Sequence, residues 1–242
     1  QINLGAGSDA LILADGANTL TVMNVESVLG SGAVDTLTFT AGLTGNVIDL
    51  GTLGDKIILS NDGNDFTASN VETIIGGTGS DIVTFGAVIT GATSLTGGDG
   101  VDELRLFNGI NNFSLSDGTI ETVTGNAAAD TITLTAAVNG TTYNLAGGTD
   151  ILNLGNFTNT FTASGVETIV GNSGADTLTL GAAQAAGDID LGAGTADKLI
   201  LANGTNTLTV AGAESVLGNA GADQITLGAG ISNAIFDLGA GT

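Results

Sequence analysis

Residues 166–187 read VETIVGNSGADTLTLGAAQAAG, and residues 188–212 read DIDLGAGTADKLILANGTNTLTVAG. The two stretches align on Gly171 with Gly192 and on Asp176 with Asp197. Within them Leu178 and Leu180 fall on one side of an extended chain and Thr177 and Thr179 on the other, a period of two rather than 3.6. Thr, Val, Ile and Phe in such runs favour a pleated strand, and the Gly, Asn and Asp between runs supply turns. No window carries the i, i+3, i+4, i+7 stripe of a helix.

The same pattern runs through the whole chain. Asp, any residue, an aliphatic, any residue, then Leu or Phe occurs at Asp9, Asp35, Asp55, Asp81, Asp102, Asp130, Asp150, Asp176, Asp197 and Asp223. Spacings of 26, 20, 26, 21, 28, 20, 26, 21 and 26 residues alternate long and short units. A second marker, Glu26, Glu72, Glu121, Glu167 and Glu214, recurs every 46 to 49 residues, the sum of one short and one long unit. A unit of this size cannot bury its own apolar face, but stacked units can.

The expected fold is therefore all-β: a parallel β-solenoid, β-helix or β-roll in type. It has about ten coils of 20–28 residues, alternately short and long, each unit making one coil and the long ones carrying three strands. Inward pairs are expected at Leu11/Leu13, Leu37/Phe39, Ile57/Leu59, Val83/Phe85, Leu104/Leu106, Ile132/Leu134, Leu152/Leu154, Leu178/Leu180, Leu199/Leu201 and Ile225/Leu227. Ten coils at ~4.8 Å make a rod of roughly 45–50 Å. An antiparallel sandwich or propeller is the competing fold; two-residue hairpin signals between runs are missing, and the long repeat splits into two homologous halves. Residues 1–242 read as one continuous solenoid, without a linker and in phase at both ends, as a segment of a longer array does.

Composition narrows the function. The 242 residues include 25 acidic and three basic ones, for a net charge of −22, with 40 Gly and no His, Cys, Pro or Trp. A nucleic-acid partner needs a basic face. Histidine acid–base catalysis, cysteine nucleophiles, zinc fingers and disulfide scaffolds lack their residues. No apolar run reaches the roughly 18 residues of a membrane helix. Every chemical feature is repeated whereas an active site is singular, so no enzyme activity is expected.

If every Asp marked the same corner of its coil, the ten carboxylates would stand ~4.8 Å apart. Neighbours at that distance repel by about 3–4 kcal/mol at an effective dielectric of 20. Cations between them or backbone N–H groups must offset this. Gly97-Gly98-Asp99-Gly100-Val101-Asp102-Glu103-Leu104-Arg105 and Gly76-Gly77-Thr78-Gly79-Ser80-Asp81-Ile82-Val83-Thr84 fit the nonapeptide GGxGxDxUx. GNSGADTLT (171–179) and GNAGADQIT (218–226) fit with one Gly replaced by Asn, and the match decays elsewhere.

These segments resemble the repeat-in-toxin, or haemolysin-type, calcium-binding repeats, and the composition is similar to that of bacterial S-layer proteins. The resemblance implies Ca²⁺ held by the ten aspartates and by Gly76, Gly79, Gly97 and Gly100, with the aliphatic residue in a β-roll core. The family spaces its motifs by nine residues. Here the spacing is 20 to 28, so the likeness covers one corner of each coil, and calcium at a second corner finds no support.

The bland alternative is that each Asp caps its turn by accepting backbone N–H groups. Asn18, Asn64, Asn111, Asn159 and Asn206 read as an Asn ladder bonding coil to coil, and the Glu series as a solvated outer face rather than ligands. Lys56, Lys198 and Arg105 lie close to ladder aspartates in sequence, with their heads sent outward.

The reading these features favour is an extracellular structural protein at the bacterial cell surface: a surface layer, filament or adhesin stalk stabilised by calcium. It would self-associate end to end or laterally, with a cell-surface polysaccharide as a further partner. An ice-binding solenoid using outward Thr-x-Thr rows is the alternative.

Overall fold

The computed structural model describes residues 1–116, 118–229, 231 and 233–241, and no helix occurs among them. The chain divides into two compact units, Gln1–Asn108 with Phe113–Glu121, and Gly109–Asn112 with Thr122–Thr242.

The first unit holds β1 (Ile2–Asn3), β2 (Ala10–Ile12), β3 (Thr19–Met23), β4 (Ser27–Ser31), β5 (Thr36–Phe39), β6 (Thr44–Gly51), β7 (Lys56–Ile58), β8 (Asn64–Ser69), β9 (Thr73–Ile75), β10 (Asp81–Phe85), β11 (Thr90–Thr96) and β12 (Glu103–Arg105). Each strand pairs in parallel with the strand two places on, so odd strands form one sheet and even strands the other. β13 (Asn112–Leu115) falls on the division between the units.

The second unit repeats the arrangement with β14 (Thr122–Asn126), β15 (Thr131–Leu134), β16 (Asn139–Ala146), β17 (Ile151–Asn153), β18 (Thr160–Ser164), β19 (Thr168–Asn172) and β20 (Thr177–Leu180). It continues through β21 (Asp188–Gly192), β22 (Lys198–Ile200), β23 (Thr207–Ala211), β24 (Ser215–Leu217), β25 (Gln224–Leu227) and β26 (Ile235–Asp237). Its strands again pair in parallel.

Each unit is thus a parallel β-solenoid with two strands per turn. Thr19 pairs with Thr36, Thr36 with Lys56, Lys56 with Thr73, and Thr73 with Ser94, so a turn takes 17 to 21 residues. This corrects the expected coil. The long unit Asp9–Asp35 does contain three strands, β2, β3 and β4, but these make one and a half turns. The short unit Asp35–Asp55 contains β5 and β6, one full turn. One 46-to-49-residue repeat is therefore five strands, or two and a half turns. The turns are shorter and more numerous than ten.

The core lies between the two sheets. Leu37, Ile57 and Ile74 from the odd sheet and Val28, Ile48 and Leu104 from the even sheet are at most 2% exposed. In eight of the ten expected inward pairs both members are buried. Leu11 and Ile225 are half-buried, and Leu227 is 56% exposed, on the last strand of its sheet. One inward slot is unusual. Tyr143 stands in register between Val123 and the small Ala163, fully buried, with its ring edge-on to Phe161 at 6.0 Å.

Candidate functional site: carboxylate ladders on both edges

Five strands per repeat is an odd number, so successive repeats start on opposite sheets. Asp35 and Asp55 precede β5 and β7 of the odd sheet, whereas Asp81 and Asp102 lie at the starts of β10 and β12 of the even sheet. In the second unit Asp130 and Asp150 precede β15 and β17, while Asp176 and Asp197 precede β20 and β22. The expected single column of ten aspartates is therefore replaced by short ladders on both edges of each unit. The expectation of only one acidic corner falls with it.

Each ladder follows one order over four successive turns: Asn, Asp, Asp, Glu. The Asn18 N–H and Nδ2 donate to Asp35 Oδ1 at 2.9 and 2.8 Å, the Asp35 N–H to Asp55 Oδ1 at 2.7 Å, and the Asp55 N–H to Glu72 Oε2 at 2.7 Å. Asn64, Asp81, Asp102 and Glu121 repeat these bonds at 2.7 to 3.0 Å. So do Asn111, Asp130, Asp150 and Glu167, and Asn159, Asp176, Asp197 and Glu214. The partial ladders are Asp9 donating to Glu26 and Asn206 donating to Asp223. The turn-capping role of Asp thus reaches across turns, to the N–H of the turn before.

The asparagines join turn to turn as expected. Their amides also tie down their own loops, Asn64 Nδ2 to the Asp62 carbonyl at 2.7 Å. The glutamates do not form a separate solvated face. All five are half-buried and accept the N–H of an aspartate one turn back. The offset that reveals this, 17 or 19 residues from Asp to Glu, was present in the sequence and matches a turn length. Arg105 pairs with Glu103 at 2.8 Å rather than with Asp102.

One carboxylate oxygen of Asp35, Asp55, Asp81, Asp130, Asp150, Asp176, Asp197 and Asp223 is accounted for by the ladder. The other is not. The Oδ2 atoms of Asp9, Asp35, Asp55, Asp81, Asp130, Asp150, Asp176, Asp197 and Asp223 are buried without a hydrogen-bond partner. Asp35, Asp55, Asp130, Asp150 and Asp176 are 0% exposed. A buried polar atom left unpaired costs about 1–3 kcal/mol, more if charged.

Burial pushes Asp55, Asp150 and Asp197 up to about 6. The incoming aspartate N–H opposes this, and the negative charges of the Glu one turn on and the Asp one turn back add to it. Burial also raises Asp81 and Asp176, against the hydrogen bonds from Asn64 and Asn159.

The motif glycines are the reason these loops close. A methyl group on Gly76 would strike both Asp81 Oδ2 and the Gly97 carbonyl of the next turn; one on Gly97 would strike Asp102 Oδ2 and the Thr119 carbonyl. On Gly194 it would meet the Asp197 carboxylate and the Gly174 carbonyl. Gly79 and Gly100 serve differently, packing on the backbone of the preceding turn. Asp81, Asp102, Glu103, Thr96 and Gly97 also border a cavity of about 20 Å³, otherwise walled by aliphatic side chains such as Leu59, Ile74 and Val83. That is room for one water-sized group. Among the described residues no three acidic side chains gather where they could hold a metal ion. The donors are pairs of carboxylates with loop carbonyls, all oxygen, a set suited to Ca²⁺ rather than to softer metals.

No protein-family model matches the chain, and no match is found among curated proteins. The likeness to the calcium-binding repeats therefore rests on the motif residues themselves.

Proposed function

We propose that this chain is a structural repeat protein of the bacterial cell exterior, built of β-solenoid units whose acidic edges are held together by calcium. The observation that carries this reading is the buried, unpartnered second oxygen recurring on nine ladder aspartates. A carboxylate taken out of water requires a counter-charge or a proton, and the chain has only three basic residues to supply one. The aspartates would supply carboxylate ligands and the glycine loops carbonyl ligands, and calcium would neutralise charge between turns. A surface layer, filament or stalk uses such stacked repeats, and divalent ions between negatively charged neighbours favour lateral association. The reading is non-enzymatic, because the chemistry recurs along the chain rather than converging at one place. Negative-stain imaging and sedimentation with calcium and then EGTA test it: ordered assemblies that dissolve in chelator are expected, and a monomer at high concentration in calcium would overturn the assembly claim.

One observation favours the ice-binding alternative. Thr122, Thr142, Thr162 and Thr179 stand in register on β14, β16, β18 and β20. The row ends at Ile200 on β22, four threonines long. Thermal hysteresis in the calcium-free monomer would shift the assignment to this face.

A further inference from the structure

We infer that the cation sites are four discrete ones rather than a continuous file, one at each step between two consecutive aspartate rungs: Asp35 with Asp55, Asp81 with Asp102, Asp130 with Asp150, and Asp176 with Asp197. This rests on the calcium reading above and adds to it the number, place and independence of the sites.

The ladder order sets the boundaries. Above each aspartate pair stands an asparagine whose amide nitrogen donates to the first aspartate, as Asn18 does to Asp35 and Asn159 to Asp176. An N–H donor cannot ligate a cation, so the site ends there. Below each pair stands a glutamate whose Oε2 already accepts the N–H of the second aspartate. The glutamate is half-buried and reaches water, and its corner (Asn70-Val71-Glu72, Gly165-Val166-Glu167 or Gly212-Ala213-Glu214) is a short turn rather than the longer glycine-rich loop that precedes an aspartate. Only the Asp–Asp step places two carboxylates that are at most 2% exposed on neighbouring turns.

At Asp176–Asp197 the Gly174 carbonyl of one loop and the Asp197 carboxylate of the next face the same side of Gly194. At Asp81–Asp102 the two aspartates border one small cavity, and Asp81 Oδ2 is the unpartnered oxygen. Asp9 and Asp223 are different. They are half-buried, and their ladder bonds run to Glu26 and Asn206 rather than to a second aspartate. Because a repeat is five strands, the two sites within each unit lie on opposite edges, and the pairs bind without a shared ligand.

The test counts calcium. Isothermal titration and elemental analysis after equilibrium dialysis of the folded 242-residue chain should give four ions per chain with a Hill coefficient near one. The double variant Asp35→Asn with Asp55→Asn keeps an Oδ1 acceptor for each incoming N–H and should lower the count from four to three. Asp9→Asn should leave it at four. Nine or ten ions per chain, or loss of one ion in Asp9→Asn, would overturn the discrete-site assignment while leaving the calcium reading intact. No calcium bound to the folded wild-type chain would overturn both.

Discussion

The Asp55 backbone N–H donates to Glu72 Oε2 at 2.7 Å, one turn further along the same edge. This bond makes the glutamate the terminus of an acidic ladder and sets a negative charge beside a carboxyl that is already buried. Its consequence is measurable in the pH dependence of stability.

Asp55, Asp150 and Asp197 titrate at about 6 in the folded chain against 3.8 for an ordinary aspartate. A raised folded-state pKa gives stability that is fully present below pH 3.8 and is lost as pH rises through 6. In calcium-free buffer the protein should therefore melt at a higher temperature at pH 5 than at pH 7.5. The gain is about 1 kcal/mol for each of the three groups once solvent screening is allowed for. Thermal melts in EGTA across pH 4.5–8 check this (a Tm that rises with pH over that range contradicts it).

Calcium should remove that pH dependence and raise the melt. A ligand that binds only the folded state at a hundredfold excess over its Kd adds about 2.7 kcal/mol. Tm should rise with calcium at pH 7.5 and return on adding chelator.

Asp176 separates charge from hydrogen bonding. Its Oδ1 accepts both the N–H and the Nδ2 of Asn159. Asp176→Ala leaves two buried donors unpaired and should cost about 2–4 kcal/mol. Asp176→Asn keeps the acceptor and removes a buried charge, so it should cost far less without calcium but forfeit calcium stabilisation. Urea denaturation of both variants, with and without calcium, distinguishes the two roles.

Tyr143 has no comparable function for its hydroxyl, which is buried without a partner and whose pKa burial pushes well up. Tyr143→Phe should stabilise the second unit by about 1 kcal/mol, whereas Tyr143→Ala should cost about 3–5 kcal/mol by opening a cavity. Chemical denaturation midpoints give the signs directly.

Removing residues 18–63 joins Ala17 to Asn64 and deletes five strands, β3 to β7. The ladder order Asn, Asp, Asp, Glu then resumes on the opposite edge, and the shortened chain should fold with the same β-type circular dichroism. Removing residues 56–72 takes out a single turn, including Asn64 and Glu72, and breaks two ladders. Its Tm should fall further although fewer residues are lost.

Much of the fold was legible because it is one-dimensional. Alternation at Leu178 and Leu180, glycines before each aspartate and the recurrence of both markers are local patterns, and local patterns dictate strands, turns and stacking. The buried pairs Leu37/Phe39, Ile132/Leu134, Leu152/Leu154 and Leu178/Leu180 followed from alternation alone. So did the division of labour between Asp, which marks the turn, and Asn, which joins it to the next.

What the linear text left undecided was parity. Whether Asp81 stacks on Asp55 or lies on the far edge depends on how many strands the 26 residues between them form, and three strands place it opposite. Partnership was likewise a matter of register. Glu72 meets the Asp55 N–H because the two are one 17-residue turn apart, a distance that acquires meaning only once the turn length is known. Side-chain alternation is set by each strand on its own, but the edge a carboxylate occupies and the neighbour it faces are set by the number of half-turns before it, which is a property of the wound chain.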